Sequence, residues 1–135
     1  METPDAILHG FMKEMHSWEK RCAARRQRCI SGSMTFDEAT EVGQAEYMAI
    51  YHRYCSGPKG QPRDFFYTEP PDYDPDREVI RKVLNESPDL VEIHTQQEYG
   101  HQKRHVFRLV LENGEWRLID RQILIDNGKM IASTL

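Results

Sequence analysis

Residues 112–130 read ENGEWRLIDRQILIDNGKM, two Asn-Gly pairs bracketing a run that alternates apolar and polar and then turns almost wholly apolar. An Asn-Gly pair between alternating segments is a hairpin signal, because a two-residue type I′ turn requires positive φ at both positions. The stretch therefore predicts three consecutive antiparallel strands, joined at Asn113-Gly114 and at Asn127-Gly128. With a two-residue loop at Asn113-Gly114, Glu112 lies opposite Glu115, and the pairs Leu111/Trp116, Leu109/Leu118, Phe107/Asp120 and His105/Gln122 share one face. That face is apolar near the turn and polar away from it. It is expected to be concave and helix-covered, with His105, Phe107, Trp116, Asp120 and Gln122 lining a pocket. The opposite face would carry Val106, Arg108, Val110, Arg117, Ile119, Arg121, Ile123 and Ile125, joined by Met130 and Ala132. A sheet face open to water usually reads as polar. A patch of Ile119, Ile123, Ile125 and Met130 edged by arginines instead reads as a protein-binding surface, unless a neighbouring element of the same chain covers it.

Upstream of this meander the pattern is helical. Thr3 followed by Pro4 is an N-cap with proline at the first helical position. Ile7, Phe11, Met15, Trp18, Cys22 and Cys29 then recur at helical spacing as far as Ser31-Gly32-Ser33. Thr35 and Glu38 form a capping box that opens a second helix, running through Ala39, Val42, Tyr47, Tyr51 and Tyr54 to Ser56-Gly57-Pro58. A short strand is expected at Asp64–Tyr67. Asp74-Pro75 starts a third, shorter helix carrying Val79, Ile80, Val83 and Leu84 and ending between Asn85 and Pro88. Everything after Asp89 reads as strand. Helices followed by antiparallel strands make an α+β fold in which the helices cover one face of the sheet.

At 135 residues the chain is long enough for one domain, 1–135, around a single core. A net charge of −4 gives no whole-chain argument for binding nucleic acid or membrane. No apolar run approaches the ~20 residues of a membrane helix, and no secretory leader is read at the N-terminus. Three cysteines cannot all pair within one chain, so free thiols in a cytoplasmic protein are expected. The six histidines show no zinc-finger spacing and no HExxH, and no phosphate-binding glycine loop occurs, so neither a metal nor a cofactor is expected.

Three stretches narrow the reading: Tyr47-Met-Ala-Ile-Tyr51-His-Arg-Tyr54-Cys55, Phe66-Tyr67-Thr68-Glu69-Pro70-Pro71-Asp72-Tyr73-Asp74-Pro75, and Trp116-Arg-Leu-Ile-Asp120-Arg. With a long first helix and a terminal meander, they make the chain resemble the nuclear transport factor 2-like (cystatin-like) fold. In that fold a curved antiparallel sheet forms a cone around helices, here three N-terminal ones. Within it, the chain is similar to the bacterial immunity proteins of polymorphic toxin systems. The resemblance implies a protein that binds a cognate toxin domain, a nuclease among the candidates, and blocks it sterically without turnover. Enzymes of the same superfamily, of the ketosteroid isomerase and polyketide cyclase types, use a cone-lining His or Asp as general base. His105 and Asp120 would be that pair here, making a small pocket enzyme the alternative.

Partner contacts are expected in two places. The loop Glu69–Asp76 holds four carboxylates (Glu69, Asp72, Asp74, Asp76) around Tyr73 in a segment stiffened by three prolines, suited to a basic protein surface. Solvated carboxylates with Asp74 as a helix cap are the plain alternative. The outer sheet face offers Ile119, Arg121, Ile123 and Ile125, to a toxin or to a second copy in a homodimer. Lys20, Arg21, Arg25, Arg26 and Arg28 read as a solvated basic helix end that suits the helix dipole.

Overall fold

The computed structural model describes residues 2–56, 72–126, 128–133 and 135. Two helices come first, α1 (Pro4–Ile30) and α2 (Phe36–Tyr54). Both begin where their caps dictate: Thr3 Oγ1 accepts the Ala6 N–H at 3.3 Å and Thr35 Oγ1 the Glu38 N–H at 3.1 Å. The Glu38 carboxylate takes the Thr35 hydroxyl at 3.1 Å instead of reaching back to a backbone donor, so half of the capping box forms. The helices are tied side by side by Arg21 and Arg25 of α1 on Glu46, by Arg53 on Glu14, and by Trp18 Nε1 donating to Gly43 O at 2.9 Å. Part of the basic end of α1 thus pairs across to α2.

Among the described residues five antiparallel strands follow in sequence order: β1 (Glu78–Ser87), β2 (Leu90–Gln97), β3 (Arg104–Glu112), β4 (Glu115–Leu124) and β5 (Met130–Ser133). The helices pack on one face, where Leu8, Phe11, Met15 and Trp18 of α1 and Tyr47 and Ile50 of α2 meet Val91, Ile93, Phe107, Leu109 and Leu118. Asn113 (φ 51°) and Gly114 (φ 79°) both occupy the left-handed region, as the type I′ turn requires. The second Asn-Gly site differs from expectation. Leu124 pairs with Met130, so the loop spans five residues, closed by the Ile125 N–H on Lys129 O and the Gly128 N–H on Ile125 O. Asn127 itself lies outside the described residues, as does the expected strand at Asp64–Tyr67.

The third helix is corrected. The described residues contain two helices, and Val79, Ile80, Val83 and Leu84 lie in β1, which turns at Pro88-Asp89 directly into β2. Register explains the misreading. Ile80 pairs with Thr95 and Lys82 with His94, leaving Arg81 as the extra residue of a bulge. A bulge inserts one residue into the twofold alternation. Ile80 and Val83 therefore share a face at a spacing of three, which imitates a helical stripe.

The same device operates in β4. Leu109 pairs with Leu118 but Arg108 with Asp120, so Ile119 has no place in the register. Beyond it the predicted pairs slip by one: Phe107 faces Arg121 and His105 faces Ile123. Arg121 and Ile123 thereby move to the helix-covered face, and Asp120 and Gln122 to the outer face.

Candidate binding surface and the filled interior

The polar end of the concave face is where the sequence places a pocket, and the chain fills it with its own segment Asp72-Tyr73. Tyr73 is fully buried. From α1, Glu19 accepts the backbone N–H groups of Asp72 (3.1 Å) and Tyr73 (3.0 Å), and His16 Nδ1–H donates to Tyr73 O at 2.7 Å. From the β2 end, Gln97 Nε2 (3.2 Å) and the Tyr99 hydroxyl (2.8 Å) donate to Asp72 O. From β4, Arg121 Nη2 reaches Asp72 Oδ2 at 2.9 Å, and its guanidinium lies 4.7 Å from the centre of the Tyr73 ring. Phe11 meets the same ring edge-on, 5.4 Å between centroids at 86°. Tyr73 was expected as an exposed anchor and Arg121 as an outer-face cation; both are interior instead. Burial works against the Arg121 charge, but the neighbouring Tyr73, Asp72 and Glu78 oxygens hold its pKa above the ordinary guanidinium value.

Beside this plug lies a second buried group. Glu78 Oε2 accepts from Thr95 Oγ1 (2.5 Å) and from His105 Nδ1–H (3.1 Å), with the His105 and Glu78 side chains 1% and 0% exposed. His105 therefore finds a carboxylate, but it is Glu78. Asp120 sits on the other face in a bidentate pair with Arg108, a bond that raises the Arg108 pKa although partial burial opposes it. Of the predicted pocket residues, His105 and Phe107 are interior, Trp116 packs half-buried at the edge of the core, and Asp120 and Gln122 face outward. His105 Nε2, Glu78 Oε1, and Arg121 Nε and Nη1 are buried with no hydrogen-bond partner among the described residues. Burial also pushes the Tyr99 phenol well above its usual range, helped by Glu78 and Asp72.

Sequence reasoning missed Glu19, Glu78, Gln97 and Tyr99. Glu19 was legible: it stands four residues after Met15 and three before Cys22, on the apolar stripe of α1, where a carboxylate signals a buried partner. Glu78 was hidden by the helical misreading of β1.

The outer face is less greasy than expected, and its three arginines are engaged within the chain. Arg108 holds Asp120; Arg117 turns to the end of α2, donating to Cys55 O (3.1 Å from Nε) and His52 O; Arg121 is inside. A cation on the last carbonyls of a helix satisfies acceptors that have no intrahelical donor. Val106 is fully buried in this face, and His94 bonds Glu92 at 3.1 Å. Exposed apolar residues gather at the two ends of the sheet: Val79, Ile80 and Val83 on β1, Met130 and Ile131 on β5. Ile119, Ile123 and Ile125 are half-buried. Of the acidic loop, Glu69 lies outside the described residues, Asp72 is interior, Asp74 Oδ1 accepts the Asp76 N–H at 3.1 Å, and Asp76 is exposed.

Among the described residues, two concavities stand out on the surface. One, of about 770 Å³, lies between the helix ends and the β3–β4 turn and is lined by Ile7, Arg53, Tyr54, Glu115, Trp116 and Arg117. The other, of about 220 Å³, lies on the outer sheet face near the bulge of β1. Cys22, Cys29 and Cys55 are free and buried, and burial pushes the Cys55 thiol up to about 12. The described residues hold no cluster of His, Cys, Asp and Glu suited to a metal ion, and no helix long and apolar enough to cross a membrane.

The sequence profile of a family described as "NTF2 fold immunity protein" matches residues 3–132, nearly the whole chain. Searches of the curated proteins and of the solved structures found no match.

Proposed function

The chain belongs to the NTF2 fold immunity proteins, and on that premise we propose that it neutralises a cognate toxin domain by binding it and covering its active site or substrate channel. The observation that carries this reading is the family match over residues 3–132. The filled interior supports a binder over a pocket enzyme. Asp72-Tyr73 occupies the polar end of the cone, and His105 and Asp120 lie on opposite faces of the sheet, so they cannot serve as one acid–base pair.

Contact with the toxin then falls to the outside. Of the partner residues expected from sequence, Asp74, Asp76, Ile119, Ile123 and Ile125 remain at least partly accessible. Asp74 and Asp76 supply charge that speeds encounter with a basic toxin such as a nuclease, and Ile119 and Ile125 supply apolar contact, Ile123 being turned to the helix-covered face. A homodimer through the exposed end at Met130 and Ile131 is the competing use of that surface. The site of action is the cytoplasm of the cell that makes the toxin.

The test is co-expression with the toxin domain encoded beside this gene, followed by purification of the complex. Survival of the cells together with a stoichiometric complex is expected. Survival without a complex, dependent on His105, would replace binding by catalysis.

A further inference from the structure

The cleft on the outer sheet face is lined by Arg81, Lys82, His94, Gln96, Arg104 and Leu124. Local structure brings them together. Arg81 is the bulge residue of β1, so it adds a third cation-bearing position where strict alternation would supply fewer. Lys82 stands opposite His94, Gln96 opposite Arg104, and Arg104 opposite Leu124, so these side chains share one face of three neighbouring strands plus β4. The lining contains no carboxylate among its described residues, in a chain with 22 acidic residues and a net charge of −4.

The acidic residues stand around the cleft instead. Glu98 is 3.9 Å from Arg81, Asp126 is 3.2 Å from Arg104, and Glu92 bonds His94. Asp126 is fully exposed and Arg81 and Glu98 mostly so. Exposed pairs of this kind contribute little and exchange readily for a better partner. Three cations face one small concavity, two of them neutralised only by these exposed pairs.

We propose that this cleft receives a single glutamate or aspartate side chain of the toxin, one flanked in the toxin by basic residues; the proposal rests on the immunity reading above. A volume of about 220 Å³ admits a side chain and not a domain edge. Leu124 and the methylene stems of Arg81, Lys82 and Arg104 offer apolar walls to the short stem of an acidic residue. A phosphate brings no such stem. The ring of Glu92, Glu98 and Asp126 and the overall negative charge repel a polyanion, which counts against nucleic acid. The same ring attracts lysine or arginine on either side of the inserted carboxylate. The pattern is a cationic centre inside an anionic rim, and its complement is an acidic residue within a basic surface.

The experiment has two arms. In the first, a capped Lys-Glu-Lys tripeptide is titrated into the ¹⁵N-labelled full-length protein, with Lys-Gln-Lys as control. Amide shifts confined to the residues that line the cleft, Arg81, Thr95 and His105 included, are expected, absent with the glutamine peptide and in an R81Q/K82Q/R104Q variant whose circular dichroism is unchanged. Equal shifts from both peptides, shifts elsewhere, or tighter binding of a DNA or RNA oligonucleotide at the cleft would overturn the proposal.

In the second arm, an R81E/K82E/R104E variant is measured against the toxin domain encoded beside the gene. Affinity is expected to fall on the order of 100-fold, since like charges set against each other across an interface are strongly unfavourable. Unchanged toxin affinity would remove the cleft from the interface and leave the immunity reading standing. A wild-type protein that fails to bind the toxin while the tripeptide still shifts the cleft would remove the immunity reading, and the toxin as occupant with it.

Discussion

Arg121→Met should be among the most destabilising single changes in this protein. The guanidinium and the Asp72 carboxylate are 4% and 14% exposed and 2.9 Å apart, so neither charge is well hydrated. Arg121 also lies 4.7 Å over the Tyr73 ring and bonds Ser133 Oγ at 3.1 Å. Methionine keeps much of the volume but removes the cation from Asp72. Breaking a buried pair from one side costs about 3–5 kcal/mol, chiefly because the surviving charge stays desolvated. For a chain of this length that corresponds to a fall in Tm of roughly 10–20 °C, against a typical total stability of about 5–15 kcal/mol. Urea denaturation followed by circular dichroism gives the number directly, provided the m-value is unchanged. The control is Arg121→Met with Asp72→Asn. Removing both charges should restore at least about 1.5 kcal/mol relative to the single variant, because the desolvated carboxylate is gone. A single-variant loss below about 1 kcal/mol, or a double variant no better than the single, would refute the claim that this pair locks Asp72-Tyr73 into the cone.

Three further outcomes are expected. Thr35→Ala should lose about 1 kcal/mol by urea denaturation, since its hydroxyl caps the Glu38 N–H of α2. Cys55, raised by burial from 9.0 to about 12, stabilises the fold fully below pH 9 and loses that contribution as pH rises from about 9 towards 12. Stability of Cys55→Ala should accordingly fall less over that range than wild type, and a thiol reagent at pH 8 should modify native Cys55 only at the rate of opening. Met130→Asp, on an exposed edge-strand residue, should leave the thermal midpoint within a few degrees while abolishing any self-association seen by sedimentation; an unchanged sedimentation coefficient in a dimeric wild type would place the dimer elsewhere.

Much of this architecture could be read from local chemistry. Thr3-Pro4, Thr35 with Glu38, and Asn113-Gly114 each act within three or four residues, and each starts its helix or turn where the sequence implies, although only half of the Thr35–Glu38 capping box forms. What could not be read depends on inserted residues. A bulge is one extra residue on one strand, visible only in how the two strands pair, so Arg81 and Ile119 carry no mark of their own. The consequence propagates: after Ile119 every side chain of β4 changes face relative to strict alternation, which exchanged Asp120 for Arg121 in the predicted pocket. Trp116, Leu118, Leu109 and Phe107 were placed correctly because Trp116 and Leu118 lie between the turn and the bulge, and the β3 residues keep their alternation.

That exchange also bears on the proposed binding function. With strict alternation, the cone would present an aspartate beside His105, an arrangement suited to moving a proton. With the bulge, it presents Arg121, and an interior arginine calls for an anion and an aromatic face. The chain supplies both from Asp72-Tyr73, and Glu19 holds their backbone from the opposite side. The carboxylate nearest His105 is then Glu78, which already accepts from Thr95, in a site with 1% exposure or less. Polar groups so placed stabilise a loop against the helices and leave the outer sheet face and the cleft by the β3–β4 turn to meet another molecule. One inserted isoleucine in β4 thus carries the interior from an acid–base pocket towards a filled scaffold, which is what the proposed binding function requires.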